Sequence, residues 1–163
     1  MSKFITDFTT DNLTSEYQHD IYRYWQEIRS DRNMPARKDF NPLHVPEALG
    51  NLMLVDVLDK PRDYKVRLIG THITEMTGND HTGKSATSLE DADSIIERFD
   101  WLLENRKPYV TSGEFIWSSS NRREYSSLVL PFSENDRDVS IIFCCLHIYK
   151  PAQHPVRLEA ATG

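Results

Sequence analysis

Cys144 and Cys145 are adjacent in the apolar run 139–149, and His147 follows two residues after Cys145. Residues two apart share a face of a strand, so Cys145 and His147 have the spacing of a thiol–imidazole pair, the arrangement that activates a cysteine nucleophile. The neighbours Ile142, Phe143 and Leu146 oppose that chemistry, because apolar burial raises a thiol pKa and leaves the group inert. The two thiols would point to opposite faces, which argues against a disulfide between them and fits a reducing compartment. We therefore read Cys145 as a small core residue and assign no catalytic residue. A thiol enzyme using Cys145 and His147 is the minor alternative.

The six histidines stand singly, without the spacings of metal ligands, so no metal site is assigned. His72 and His81 fall on short helical segments, where a histidine capping a turn is the expected role and ligation by His81 the lesser one. Arg67, near the end of a strand-like run, is a candidate to hold a ligand anion in bidentate fashion. The alternative is an ordinary ion pair with Asp56 or Glu75.

These residues sit in a chain of 163 residues with 39% hydrophobic, 27% charged and 10% aromatic residues, enough apolar material for one packed core. The net charge of −6 and the scattered basic residues speak against a nucleic-acid surface. No stretch approaches the ~20 apolar residues of a membrane span, and no signal-like segment opens the chain. A cytoplasmic protein that engages neither nucleic acid nor membrane is expected.

The first 14 residues lack periodicity and are expected to be a flexible arm. Ser15 is placed to cap a helix over 16–30, whose Tyr17, Ile21, Tyr24, Trp25 and Ile28 recur at spacings of three and four on one face. That aromatic stripe must be buried, either on the chain's own sheet or on a second copy or partner. A proline-containing connector follows over 33–42, then a short turn ended by Gly50. Strands are expected over 51–59 and 64–69, joined by a turn at Pro61. A short helix over 71–78 and a longer helix over 91–106, capped from Ser88, come next. Three more strands are expected over 109–117, 124–132 and 139–149. The last is apolar on both faces and so belongs in the middle of a sheet. Residues 151–163 read as a loose tail, leaving 15–50 as the N-terminal helix and connector and 51–150 as the core.

This order of elements resembles that of a PAS domain. Trp25 with Arg29 and Arg32, Pro35-Ala36-Arg37, Asp39-Phe40-Asn41-Pro42, Tyr64-x-x-Arg67-Leu68-x-Gly70-Thr71 and Gly78-x-Asp80-x-Thr82-Gly83 resemble the fifth PAS-type family. Its members are short bacterial PAS-like proteins, mainly alphaproteobacterial, and the resemblance spans roughly residues 15–150. It implies an α+β fold: a five-stranded antiparallel sheet in the order 2-1-5-4-3, with short helices and one longer helix on one face. The N-terminal amphipathic helix is additional to that core. It also implies a sensory or regulatory module that binds a small ligand, a partner protein or both and signals in trans as a dimer, through an unidentified signalling protein. A ligand-free scaffold is the alternative.

Haem-binding PAS domains often use a histidine on the long helix, and 91–106 contains none. Covalent flavin photochemistry needs a cysteine in the short-helix region, and 79–86 contains none. Both cofactors are disfavoured and the cofactor is left unknown. The expected pocket lies between sheet and long helix. Its candidate residues are Arg67, Phe99, Leu102, Leu103, Phe115, Trp117, Tyr125, Phe143 and Cys145, chosen because they gather aromatics around one space. The opposite strand parity remains open.

Overall fold

A computed structural model describes residues 3–118 and 121–149, and for 115–118, 121, 122 and 149 the backbone alone. The elements are β1 (Lys3–Ile5), α1 (Glu16–Arg29), β2 (Leu52–Leu58), β3 (Asp63–Ile69), α2 (Thr71–Thr77), α3 (Ala92–Asn105), β4 (Tyr109–Ser118), β5 (Asn121–Phe132) and β6 (Ile141–Tyr149), with short 3-10 turns between them. All strand pairs are antiparallel, in the order β1-β4-β5-β6-β2-β3. The five strands of the expected sheet occupy their expected places, with β6 between β5 and β2. The sixth, β1, comes from the segment expected to be a flexible arm. Its three residues pair with Val110, Thr111 and Ser112 of β4. Further along the same segment Leu13 is buried. The tail expected over 151–163 lies outside the described residues. Among the described residues no helix is long and apolar enough to cross a membrane.

Each face of the sheet carries its own core. On one face α1 lies across β5 and β6. Ser15 caps it by accepting from the Gln18 N–H at 3.3 Å, and Ile21 and Trp25 are 1% and 4% exposed. The Trp25 indole donates to Pro131 O at 3.0 Å, and the Tyr17 hydroxyl to Leu146 O at 3.1 Å. Tyr17, Tyr24 and Ile28 are half-buried against the same cluster. The stripe considered as a dimer or partner face is thus packed on the chain's own sheet, and its two deepest residues are closed to a second copy.

The connector wraps the end of the sheet, with Met34 in the core on the α3 side and Phe40 in the core on the α1 side. Asp39 holds it. Its carboxylate accepts from the Ala36 N–H and from Arg32, both at 2.9 Å, and these two contacts, the backbone donor first, hold its pKa below the usual carboxylate range. Arg32 also donates to Ile28 O at 2.6 Å, and the Tyr24 hydroxyl accepts from the Asn41 N–H at 2.9 Å. The motif residues Arg32, Asp39 and Asn41 therefore tie α1 to the connector.

On the opposite face, α2, a 3-10 turn over Ala86–Ser88 and α3 cover the sheet. Phe99 and Leu102 of α3 are buried there with Tyr64, whose hydroxyl donates to Asp100 at 2.5 Å. The cap of α3 differs from expectation. Its N-cap is Asp91, with φ of 58° and no side-chain hydrogen bond, while Ser88 ends the preceding 3-10 turn and donates to Ser85 O at 2.8 Å.

Candidate ligand pocket

Side chains alternate along a strand, so the residues facing α2 and α3 follow from register alone. Tyr109 pairs with Val129, Val129 with Cys144, and Cys144 with Met53, forming one cross-strand row. Thr111, Ser127 and Leu146 form the next. Tyr125 begins a third, opposite Gly113, which places no side chain beside the ring. These rows floor a cavity of about 380 Å³ roofed by Ile73 and Thr77 of α2, by Asn79, His81, Ser88, Leu89 and Glu90 of the following segment, and by Ile95, Arg98 and Phe99 of α3. Ile69 closes one side. The volume falls in the range of small-molecule sites, about 300–1,000 Å³.

Most of this lining is apolar. Polar groups concentrate in two places. The rim carries Asn79, Glu90 and His81, whose ring nitrogen lies 3.3 Å from the Ser88 hydroxyl. Toward the β1 edge of the sheet, Arg98 donates to the Thr111 hydroxyl, which itself donates to the Lys3 carbonyl at 2.8 Å. The guanidinium also lies over the Phe4 ring, 5.6 Å from its centre, and Phe4 meets Trp101 and Tyr109 edge-on. Burial raises the pKa of Tyr109 and Tyr125, against a smaller opposing effect of Arg98. Both phenols therefore stay protonated at neutral pH.

Of the nine residues chosen from the sequence, Phe99 and Tyr125 line this cavity. Leu102 is in the core behind it. Leu103 lies in a separate, strongly acidic depression with Asp59, Asp100, Glu104, Glu134 and Asp138. Phe143 and Cys145 are on the other sheet face, where Phe143 stacks on Phe132 with ring centres 4.0 Å apart and meets Phe40 at 5.0 Å. The side chains of Phe115 and Trp117 lie outside the described residues. Arg67 points away from the cavity. Between Leu54 and Val55 the partners in β3 step from Leu68 to Val66, so Arg67 is the extra residue of a bulge, and its guanidinium pairs with Asp56 at 2.9 Å in the open.

The inward residue of β6 is thus Cys144, not Cys145. Both thiols are buried and free. Burial pushes Cys144 up to about 12 and raises Cys145 as well, with Cys144 adding to the latter. Cys145 and His147 do share a face, but the His147 Nδ1 lies 2.8 Å from the Thr14 hydroxyl. Neither thiol has the depressed pKa a nucleophile needs.

Unfolding releases these thiols to titrate near 9, so the stability they contribute is complete below pH 9 and declines as pH rises toward about 12 for Cys144. The slope is at most about 1.4 kcal/mol per pH unit for each thiol. Tyr109, raised by burial from 10, adds its own loss at higher pH. Urea titrations between about pH 9 and 10 are expected to show a smaller decline for a Cys144→Ala, Cys145→Ala double variant than for the parent. Equal declines would contradict the burial of the thiols.

The family model of the PAS domain matches residues 13–147. Among solved structures, a light-oxygen-voltage domain studied with a flavin analogue is similar over 72% of this chain and 90% of its own, at 10% identity and a TM-score of 0.52. A variant of RsLOV is similar over 71% of this chain and 69% of its own, at 14% identity and a TM-score of 0.52. No curated protein matches by sequence. PAS domains are typically sensory or signalling modules. The sheet order, the helical roof over one face and the match over most of the sequence agree, and this chain belongs to the PAS domain family.

Proposed function

We propose that this PAS domain is a sensory or regulatory module that takes a small molecule into the cavity between α3 and the sheet and carries out no chemistry on it. The cavity itself carries the reading. A scaffold without a ligand would be expected to close the space between Ser127, Leu146 and Ile95 with larger side chains, since interiors pack to near-crystalline density. Here Thr111 and Ser127 occupy the centre of the floor instead. The buried, protonated thiols support the non-enzymatic part of the proposal.

The flavin of the similar light-oxygen-voltage domain is not carried over. A likeness at 10% identity is one of fold, and residues 79–86 hold no cysteine for covalent flavin photochemistry. Nor does the proposal place a self-contact on the α1 stripe, which the sheet already occupies.

Native mass spectrometry of the purified protein is expected to show a retained small molecule, lost on mild activation. Ser127→Leu, which places a branched side chain between Thr111 and Leu146, is expected to fold and to emerge without it. An empty parent whose stability rises in Ser127→Leu would favour the ligand-free scaffold.

A further inference from the structure

The position of Arg98 points to the chemical class of the ligand. Arg98 lies three residues after Ile95 and four before Leu102, on the stripe of α3 that faces the sheet. It is half-buried, and its described protein contacts are the Thr111 hydroxyl and the face of Phe4. Among the described residues no carboxylate lies within ion-pair distance of it. A guanidinium carries five N–H donors, and partly burying that charge without an anion is unfavourable unless another group completes its shell. The cavity it lines carries the Thr111 hydroxyl on the floor, the Tyr125 hydroxyl beyond, the Asn79, His81 and Glu90 side chains at the rim, and apolar walls from Ile69, Ile73, Ile95 and Leu146.

We propose that the ligand is a monocarboxylate with an apolar body, its carboxylate held by the Arg98 fork and its body lying on the Ile95 and Leu146 walls. This rests on the cavity reading above. A planar carboxylate matches two parallel N–H donors of the fork. Phosphate and other polyanions fit less well, because among the described residues Arg98 is the only Lys or Arg of the lining and Glu90 stands at the rim.

The test uses octanoate and phenylacetate, each against its neutral amide, titrated into the ligand-stripped protein. Binding is read from methyl NMR shifts of Ile73, Ile95 and Leu146. Each acid is expected to bind at least about tenfold tighter than its amide, as an added charge-assisted pair allows. Arg98→Met is expected to remove the difference, and Arg98→Lys, which keeps the charge but loses the fork, to retain part of it. The acid-to-amide ratio in the parent needs no variant to fold. Acids and amides that shift these methyls equally would overturn the carboxylate assignment and leave the cavity reading standing. Methyls unmoved by all four compounds at millimolar concentration would overturn both.

Discussion

Trp25→Ala is expected to destabilise the fold by about 3–5 kcal/mol, the range for removing a buried aromatic and leaving a cavity. The indole is 4% exposed, donates to Pro131 O at 3.0 Å and lies beside Arg29, whose guanidinium carbon is 5.5 Å from the ring centre. Two effects add. The apolar contact with the α1 side of the core is lost, and the Pro131 carbonyl loses a donor inside the protein. Trp25→Phe separates them, since it keeps most of the apolar volume and removes the N–H. Its expected cost is about 1–3 kcal/mol, that of an unmet buried hydrogen bond. Urea denaturation at fixed pH reads both as a fall in midpoint at nearly constant slope. The same experiment addresses the aromatic stripe. Because the chain's own sheet buries Ile21 and Trp25, the parent midpoint is expected not to depend on protein concentration. A midpoint that climbs with concentration would mean that a second copy covers part of this surface.

Gly70→Ala is expected to cost about 3 kcal/mol or more, at the upper end for overpacking, although its φ of −62° suits any residue. A Cβ there would lie 2.3 Å from the Gly50 carbonyl oxygen and 2.7 Å from that of Leu49. Those are backbone atoms of the 3-10 turn leading into β2, held in turn by the Gly70 N–H bonded to Leu52 O at 2.7 Å. The turn would have to separate from the start of α2, and α2 carries Ile73 and Thr77 into the cavity roof. Loss of ligand retention should therefore accompany loss of stability. Gly78→Ala is the contrast. Its φ of 76° penalises a side chain, but nothing lies within 4 Å of the added Cβ, so only the left-handed backbone cost of about 1 kcal/mol is expected. Similar values for the two variants would show that the close approach at Gly70 is absent.

Periodicity along the chain was enough to place α1, α3 and all five strands of the PAS sheet. Each of those segments carries a pattern that a helix or a strand alone can bury. The middle position of β6 followed from its two apolar faces. Those same two faces hid the pocket. Ile142, Cys144 and Leu146 are no less apolar as a set than Ile141, Phe143 and Cys145, so composition could not say which faced α3. Aromatic residues were gathered toward the cavity, and Phe99 and Tyr125 do line it, but Phe143 serves the opposite core, where it meets Phe40 and Phe132 beneath α1. The side receiving smaller side chains, Thr111, Ser127 and Cys144, is the one that keeps a space. Arg98 left a faint trace as the one cation within the lattice of Ile95, Phe99 and Leu102. The Arg67 bulge left none, because a bulge is a relation between two strands.

What the order of residues settles without coordinates is therefore the class of fold, since it depends on local pattern and composition. Tertiary structure alone decides which face of β6 looks into the cavity, that α1 closes over its own sheet, and that the edge of that sheet holds Lys3–Ile5 as β1. Each of these turns on which of two similar apolar surfaces meets which partner. That choice is made by the fit of whole faces, such as Phe143 against Phe40 and Cys144 between Val129 and Met53, which no single segment contains.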